Sequence, residues 1–201
     1  MTINSNNSAL PLVDGVEAVF QELDASIARF QSETGWNCRE GCGDCCNSPE
    51  VEVSVLEALP HALLLWQSSK ADFYHTLLTE KLGSPCAFYV SRPEDRSMGR
   101  CSIYGTRPML CRMFGFTAQT DKAGGPRLAA CHWQKMRAPE LLLEIDNALK
   151  QGTLEAPLFG YWEQRLSELD PSQLLGERLP INEAFLKAID YVYWRRSSLG
   201  I

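Results

Sequence analysis

The sequence predicts a mainly α-helical fold: a small single domain of about six helices, with an irregular, cysteine-rich middle and room for one short β-hairpin. Three observations point there. Apolar residues recur at helical spacing on either side of the middle, glycine and proline break residues 85–133 into short runs, and all eight cysteines lie between Cys38 and Cys131. The length of 201 residues suits one domain. Hydrophobic residues at 45% and charged residues at 22% are globular proportions, which excludes collagen-like, coiled-coil and disordered chains.

Residues 1–9 are polar and rich in Asn and Ser, and read as a frayed terminus. The domain is then expected over residues 10–201, with its cysteine core over about 36–133. Val16, Val19, Phe20, Leu23, Ile27 and Phe30 share one helical face, so a helix is expected from Pro11 to about Ser32, with Gly35 as its stop signal. Ser54 and Glu57 have the spacing of a capping box and start a helix toward Leu59, which Pro60 is expected to break or restart. A further helix runs from about Ala71 to Leu82, closed by Gly83. Residues 116–120 and 127–130 flank Asp-Lys-Ala-Gly-Gly-Pro and suit a small hairpin. Helices resume over Pro139 to Lys150, about Pro157 to Leu169, and about Asn182 to Arg196.

Composition also narrows the chemistry. The first residues carry no Lys or Arg and no apolar run of signal-peptide length, and no stretch approaches the ~18 apolar residues of a membrane span. A cytoplasmic address without membrane attachment is expected. Thiols stay reduced there, so clustered cysteines read as metal or redox sites and not as disulfides. The net charge of −6 and pI near 5.1 disfavour a nucleic-acid partner. Charge is unevenly spread, however: residues 86–137 carry nine basic and three acidic side chains, net +6, against −12 elsewhere. Cations beside cysteines lower thiol pKa and favour the ligating form.

The first cysteine group is Cys38, Cys42, Cys45 and Cys46, C-x3-C-x2-C-C. In a helix these would share one face, whereas Gly41 and Gly43 favour a tight loop around a bulky ligand. Four thiols in nine residues, interleaved with Arg, Glu and Asp, do not resemble an apolar stripe and read as a thiolate cluster. The second group is Cys86, Cys101, Cys111 and Cys131, each of which alone would read as a buried thiol. Together the eight sulfurs suffice for two four-thiolate sites, or for one cluster with additional ligands. His132 beside Cys131 is a further donor, while His61 and His75 sit in helical stretches as core or surface residues. Arg107 and Arg112 are expected behind the ligands, hydrogen-bonding sulfurs or carbonyls, unless an enzyme pocket uses them with Tyr104 and Phe114.

These residues carry a resemblance. The string Cys38-x3-Cys42-x2-Cys45-Cys46, then Pro85-Cys86-Ala87-Phe88, then Cys101-Ser-Ile-Tyr-Gly-Thr-Arg-Pro-Met-Leu-Cys111-Arg-Met-Phe114 resembles the YkgJ-type cysteine-cluster family, CxxCxxCC, over about residues 38–114. Its members are described as zinc- or iron-chelating proteins, which implies metal ions as partners and a metal-binding function. A similar cluster occurs in flagellin lysine methylases, where it implies an iron–sulfur cluster; this chain is short for that enzyme's additional parts.

Zinc knuckles usually come as two C-x2–4-C pairs, which this spacing does not give. Cys38, Cys42 and Cys45 have instead the C-x3-C-x2-C spacing that can surround a cuboidal cluster, so [4Fe–4S] is favoured over zinc. The alternatives are an enzyme with a catalytic or redox metal cluster, and a zinc-stabilised thiol switch at Cys45 and Cys46.

Overall fold

The structure, a computed structural model, describes residues 10–39, 41–94, 98–121 and 124–199. The expectation of a frayed terminus over residues 1–9 lies outside them. The fold is mainly helical, with three short antiparallel strand pairs. Two compact units organise it. One comprises residues 1–18, 41–109 and 167–201, the other residues 19–40 and 110–166.

The first unit is built on three helices, α2 (Val55–Gln67), α3 (Ala71–Glu80) and α8 (Ile181–Leu199). Ser54 starts α2 as its spacing predicts: its hydroxyl accepts from the Glu57 amide at 3.2 Å, and the Glu57 carboxylate accepts from the Ser54 amide at 3.0 Å. Pro60 does not end this helix. A proline inside a helix costs ~3 kcal/mol, but Leu56, Leu59, Ala62, Leu63 and Leu65 are all buried along α2, and fully burying each leucine returns ~1.5–3 kcal/mol. Ala58 and Ala62 of α2, with Ala184 and Ala188 of α8, are buried small residues that let the two packed helices approach closely. The Trp66 indole donates to the Ile189 carbonyl at 3.0 Å. Strand β1 (Glu52–Ser54) leads into α2, and β6 (Arg178–Pro180) leads into α8; the two pair antiparallel, Val53 opposite Leu179.

Beside this core a second pair, β2 (Tyr89–Ser91) and β3 (Gly99–Cys101), sets Tyr89 opposite Cys101. The sequence showed neither strand, since three-residue runs such as Tyr-Val-Ser and Gly-Arg-Cys carry too few residues for a period-2 signal.

The second unit holds the later turns of α1 (Pro11–Thr34), where Val19, Phe20, Leu23, Ile27 and Phe30 are buried as their spacing predicts. It adds α4 (Met109–Met113), the hairpin β4 (Ala118–Thr120) and β5 (Pro126–Leu128), α5 (His132–Arg137), α6 (Pro139–Gln151) and α7 (Phe159–Ser167). The hairpin matches the sequence expectation. Helices α4 and α5 bring the described α-helices to eight and not six: runs of five and six residues are shorter than two helical turns, so no apolar stripe announces them. Gly115 lies at φ +86, and its carbonyl accepts from the Trp36 indole at 2.8 Å and the Gln134 amide at 3.2 Å.

His61 is the titratable group most perturbed by this packing. It is buried on α2, edge-on to Phe88 and Phe185, and burial pulls its pKa down to about 4. The unfolded chain therefore takes up this proton first. The stabilisation is complete above the unfolded value of ~6.5 and is lost as pH falls from there toward 4, about 3 kcal/mol for a shift of this size. Urea unfolding at pH 7.5 and pH 4 is expected to show this loss on top of that from carboxylates, and His61→Gln is expected to remove the histidine share. An identical acid sensitivity in His61→Gln refutes it.

Candidate metal centre

The first unit holds Cys42, Cys45, Cys46, Cys86 and Cys101, and the second Cys38, Cys111 and Cys131; all eight are free thiols. Cys38 follows α1 and is exposed. The first cysteine group does not form one helical face. Gly41 turns the chain at φ +68, and only Asp44–Asn47 winds into a 3₁₀ turn, which carries Cys45 and Cys46. Loop formation is what Gly41 and Gly43 favour over a continuous helix.

Three contacts hold this loop in the first unit. The Gly99 amide donates to the Gly41 carbonyl at 3.0 Å, and Cys42 forms an antiparallel bridge with Met98, so the loop lies along the edge of β3. The Tyr89 ring then lies against both Gly43 and Gly99: a Cβ at either would fall 2.1 and 2.4 Å from it. No side chain fits at those two positions while the ring stays where it is.

Cys86 is placed by α8. Asn182, buried at the start of that helix, donates through its side-chain amide to the carbonyls of Lys81 at 2.8 Å, Ser84 at 3.1 Å and Pro85 at 3.1 Å, and its Oδ1 accepts from the Ala87 amide at 2.9 Å. One side chain thereby serves four backbone groups of the segment that presents Cys86. The Tyr89 amide donates to the Cys86 carbonyl at 3.0 Å, turning the chain directly into β2.

The thiols differ in acidity. Cys45 is drawn down to about 7, chiefly by a hydrogen bond from Cys46 and also by the positive charge of Arg107, against the opposing effect of burial. Cys86 is pushed up to about 11 by burial, and any negative charge on Cys101 or Cys45 raises it further. Near neutral pH Cys45 is thus partly ionised, while Cys86 keeps its proton. Arg107 stacks its guanidinium 3.8 Å from the centre of the Tyr104 ring.

In the second unit Arg112 is buried, ion-paired with Asp24 and 4.6 Å over the Phe20 ring. Cys111 lies on α4. Cys131 is the N-cap of α5: its sulfur accepts from the Gln134 amide at 3.4 Å, and Gln134 Oε1 accepts from the Cys131 amide at 3.0 Å. His132 contacts the Trp133 ring. The sequence reading did not anticipate that Cys131 caps a helix, nor the roles of Asn182, Tyr89 and Gln134. For Cys131 a signal existed, since Cys-x-x-Gln immediately before a helix is a capping box with sulfur in place of oxygen.

Sulfur is the abundant donor here, and thiolates suit both zinc and iron. Among the described residues, no group of three or more His, Cys, Asp and Glu side chains is gathered closely enough to hold an ion as the side chains stand. Because Gly99 has no unusual φ, Gly99→Ala tests the seat of Tyr89 by size alone. We expect it to destabilise the metal-free protein by ~1–3 kcal/mol in urea unfolding, whereas Gly105→Ala, where a Cβ meets open space, is expected to be near neutral. Equal effects at the two positions contradict the packing described.

Neither a curated protein nor a solved structure matches the chain. A family model does, over residues 37–134: CxxCxxCC, described as "Putative zinc- or iron-chelating domain". That stretch contains every cysteine of the chain and Arg107. With its loop of vicinal thiols and its eight cysteines, the stretch 37–134 matches the CxxCxxCC zinc- or iron-chelating domain.

Proposed function

We propose that the protein is a metal-binding protein whose first unit holds its metal through Cys45, Cys46, Cys86 and Cys101, with Cys42 beside them, as an iron–sulfur cluster in preference to a zinc ion. The observation that carries this reading is the mutual influence of the thiols: Cys46 hydrogen-bonds Cys45, and Cys86 feels the charge of both Cys45 and Cys101. One thiol is eased toward its anion by a neighbouring sulfur while another is held protonated by burial and by the charge of two more, an arrangement that a bound cation would neutralise.

The residues divide the work. Cys45, ionised near pH 7, captures the metal, and Cys86 loses its proton only as positive charge arrives. Arg107 offsets the negative charge of the ligands, as outer groups of metal sites do. Asn182 and Tyr89 hold the two supporting segments in place. When bound, the metal supplies charge neutralisation and, as a cluster, one-electron chemistry. The irregular glycine-containing loop, with five thiols available in one unit, suits a cluster that wraps its ligands better than a pair of knuckles around zinc. Cys38, Cys111 and Cys131 are further donors within the family segment. The same hydrogen bond between Cys45 and Cys46 supports a second reading, a reversible thiol switch, which needs no metal.

Anaerobic purification, visible absorption and metal analysis test the proposal. We expect stoichiometric iron with broad sulfur-to-iron absorbance. Cys45→Ser and Cys86→Ser should each lower bound metal at least severalfold, and chelation should lower stability by several kcal/mol. Binding should strengthen as pH rises from 6 to 8, because the thiols must release protons. A protein that takes up neither iron nor zinc under reducing conditions sinks the proposal and leaves the thiol switch; stoichiometric zinc without iron overturns the cluster.

A further inference from the structure

His61 carries an unexplained polar atom. Its ring is 9% exposed, its Nδ1 lies 2.8 Å from the Thr106 hydroxyl, and its Nε2 is buried without a hydrogen-bond partner. The Thr106 hydroxyl is also 3.4 Å from the Ile103 carbonyl, to which it can only donate. If the hydroxyl donates to Ile103, the ring donates from Nδ1 and Nε2 is a bare lone pair; if it donates to Nδ1, Nε2 carries an unpaired N–H, so either tautomer leaves Nε2 unsatisfied. A buried polar atom without a partner costs free energy that leucine at the same place would not, so stability alone does not account for histidine here.

Thr106 ends a 3₁₀ turn, Tyr104–Thr106, and the next residue is Arg107. Within that turn the Thr106 amide donates to the Ile103 carbonyl at 2.9 Å, and Tyr104 at its head is 62% exposed. His61 is rooted on α2, the most buried helix of the unit, between Phe88 and Phe185. It is therefore a rigid post to which an exposed turn is tied. The turn sets the backbone from which the guanidinium of Arg107, stacked on Tyr104, reaches toward the charge of Cys45.

We propose that His61 is a positioning residue of the cysteine site, tying the Tyr104–Thr106 turn to helix α2 through the Thr106 hydroxyl so that Arg107 stands over the thiolates. The proposal rests on the metal-binding reading above. His61 touches no metal; it acts through Thr106 and Arg107. Groups one step behind metal ligands typically change affinity ~10–100-fold when removed.

The test is a cobalt(II) competition titration on the full-length, reduced protein at pH 7.5, read by thiolate-to-cobalt absorption, together with urea unfolding of the metal-free protein. For His61→Leu we expect metal-free stability equal to or above wild type, because the unpaired Nε2 is gone, together with cobalt affinity lowered ~10-fold or more. Thr106→Val should lose affinity similarly, and Thr106→Ser, which keeps the hydroxyl, should retain it. Unchanged affinity in Thr106→Val overturns the proposal, as does a Thr106→Ser variant no better than Thr106→Val. So does His61→Leu losing affinity only in proportion to lost metal-free stability, the mark of a purely structural histidine. If His61→Leu fails to fold, the two Thr106 variants still decide. A wild type that binds no cobalt through thiolate refutes the metal-binding reading itself, and with it this role for His61.

Discussion

The cysteine site depends on side chains that satisfy irregular backbone. Irregular segments such as those bearing the cysteines give up the ladders through which helices and strands pair their own amides, and each buried group left over must find a partner elsewhere. Asn182 is the clearest answer. From the first turn of α8 its single amide meets three carbonyls and one N–H of the segment that carries Cys86. The Tyr89 ring on Gly43 and Gly99 does the corresponding service by packing, pressing the Cys45–Cys46 loop against β3. In the second unit the Gly115 carbonyl plays the inverse part, one acceptor for two distant donors, Trp36 and Gln134. In each case a regular element supplies a fixed atom and an irregular one is hung from it.

Most of the helical frame was legible in the sequence, because burial of one face writes a 3.6-residue period that needs no knowledge of the partner. The buried positions of α1 and the capping box of α2 appear where spacing placed them. Pro60 was misleading since local propensity knows nothing of the burial along the rest of α2, which outweighs the lost bond. The pairing of β1 with β6 was invisible for a different reason. It joins residues Val53 and Leu179, far apart in the sequence, and neither three-residue strand carries a pattern of its own.

The cysteines were legible and the side chains that hold their segments were not. Cysteine announces itself by type and spacing, whereas Asn182, Tyr89 and His61 act through backbone carbonyls, glycine hydrogens and one threonine hydroxyl, partners that no motif names. Gly43 illustrates the difference. The sequence gives reason to expect glycine for a tight turn, yet its backbone needs no unusual φ, and what it provides is a flat surface for a tyrosine ring. Cation placement was half legible. The excess of positive charge over residues 86–137 is plain, but Arg107 lies near Cys45 while Arg112 is tied to Asp24, and nothing in the composition separates the two.

Cys131 shows how one atom can answer to two separate demands. As the N-cap of α5 its sulfur accepts the Gln134 amide, a task that the oxygen of serine, threonine or aspartate performs at least as well. A thiolate donor has no such substitutes. Capping and ligation would therefore impose different tolerances on the same position. A chain that no longer needs sulfur there can drift to serine and keep α5 intact, so the residue found at this place in related sequences reports on ligation independently of whether the fold has been retained.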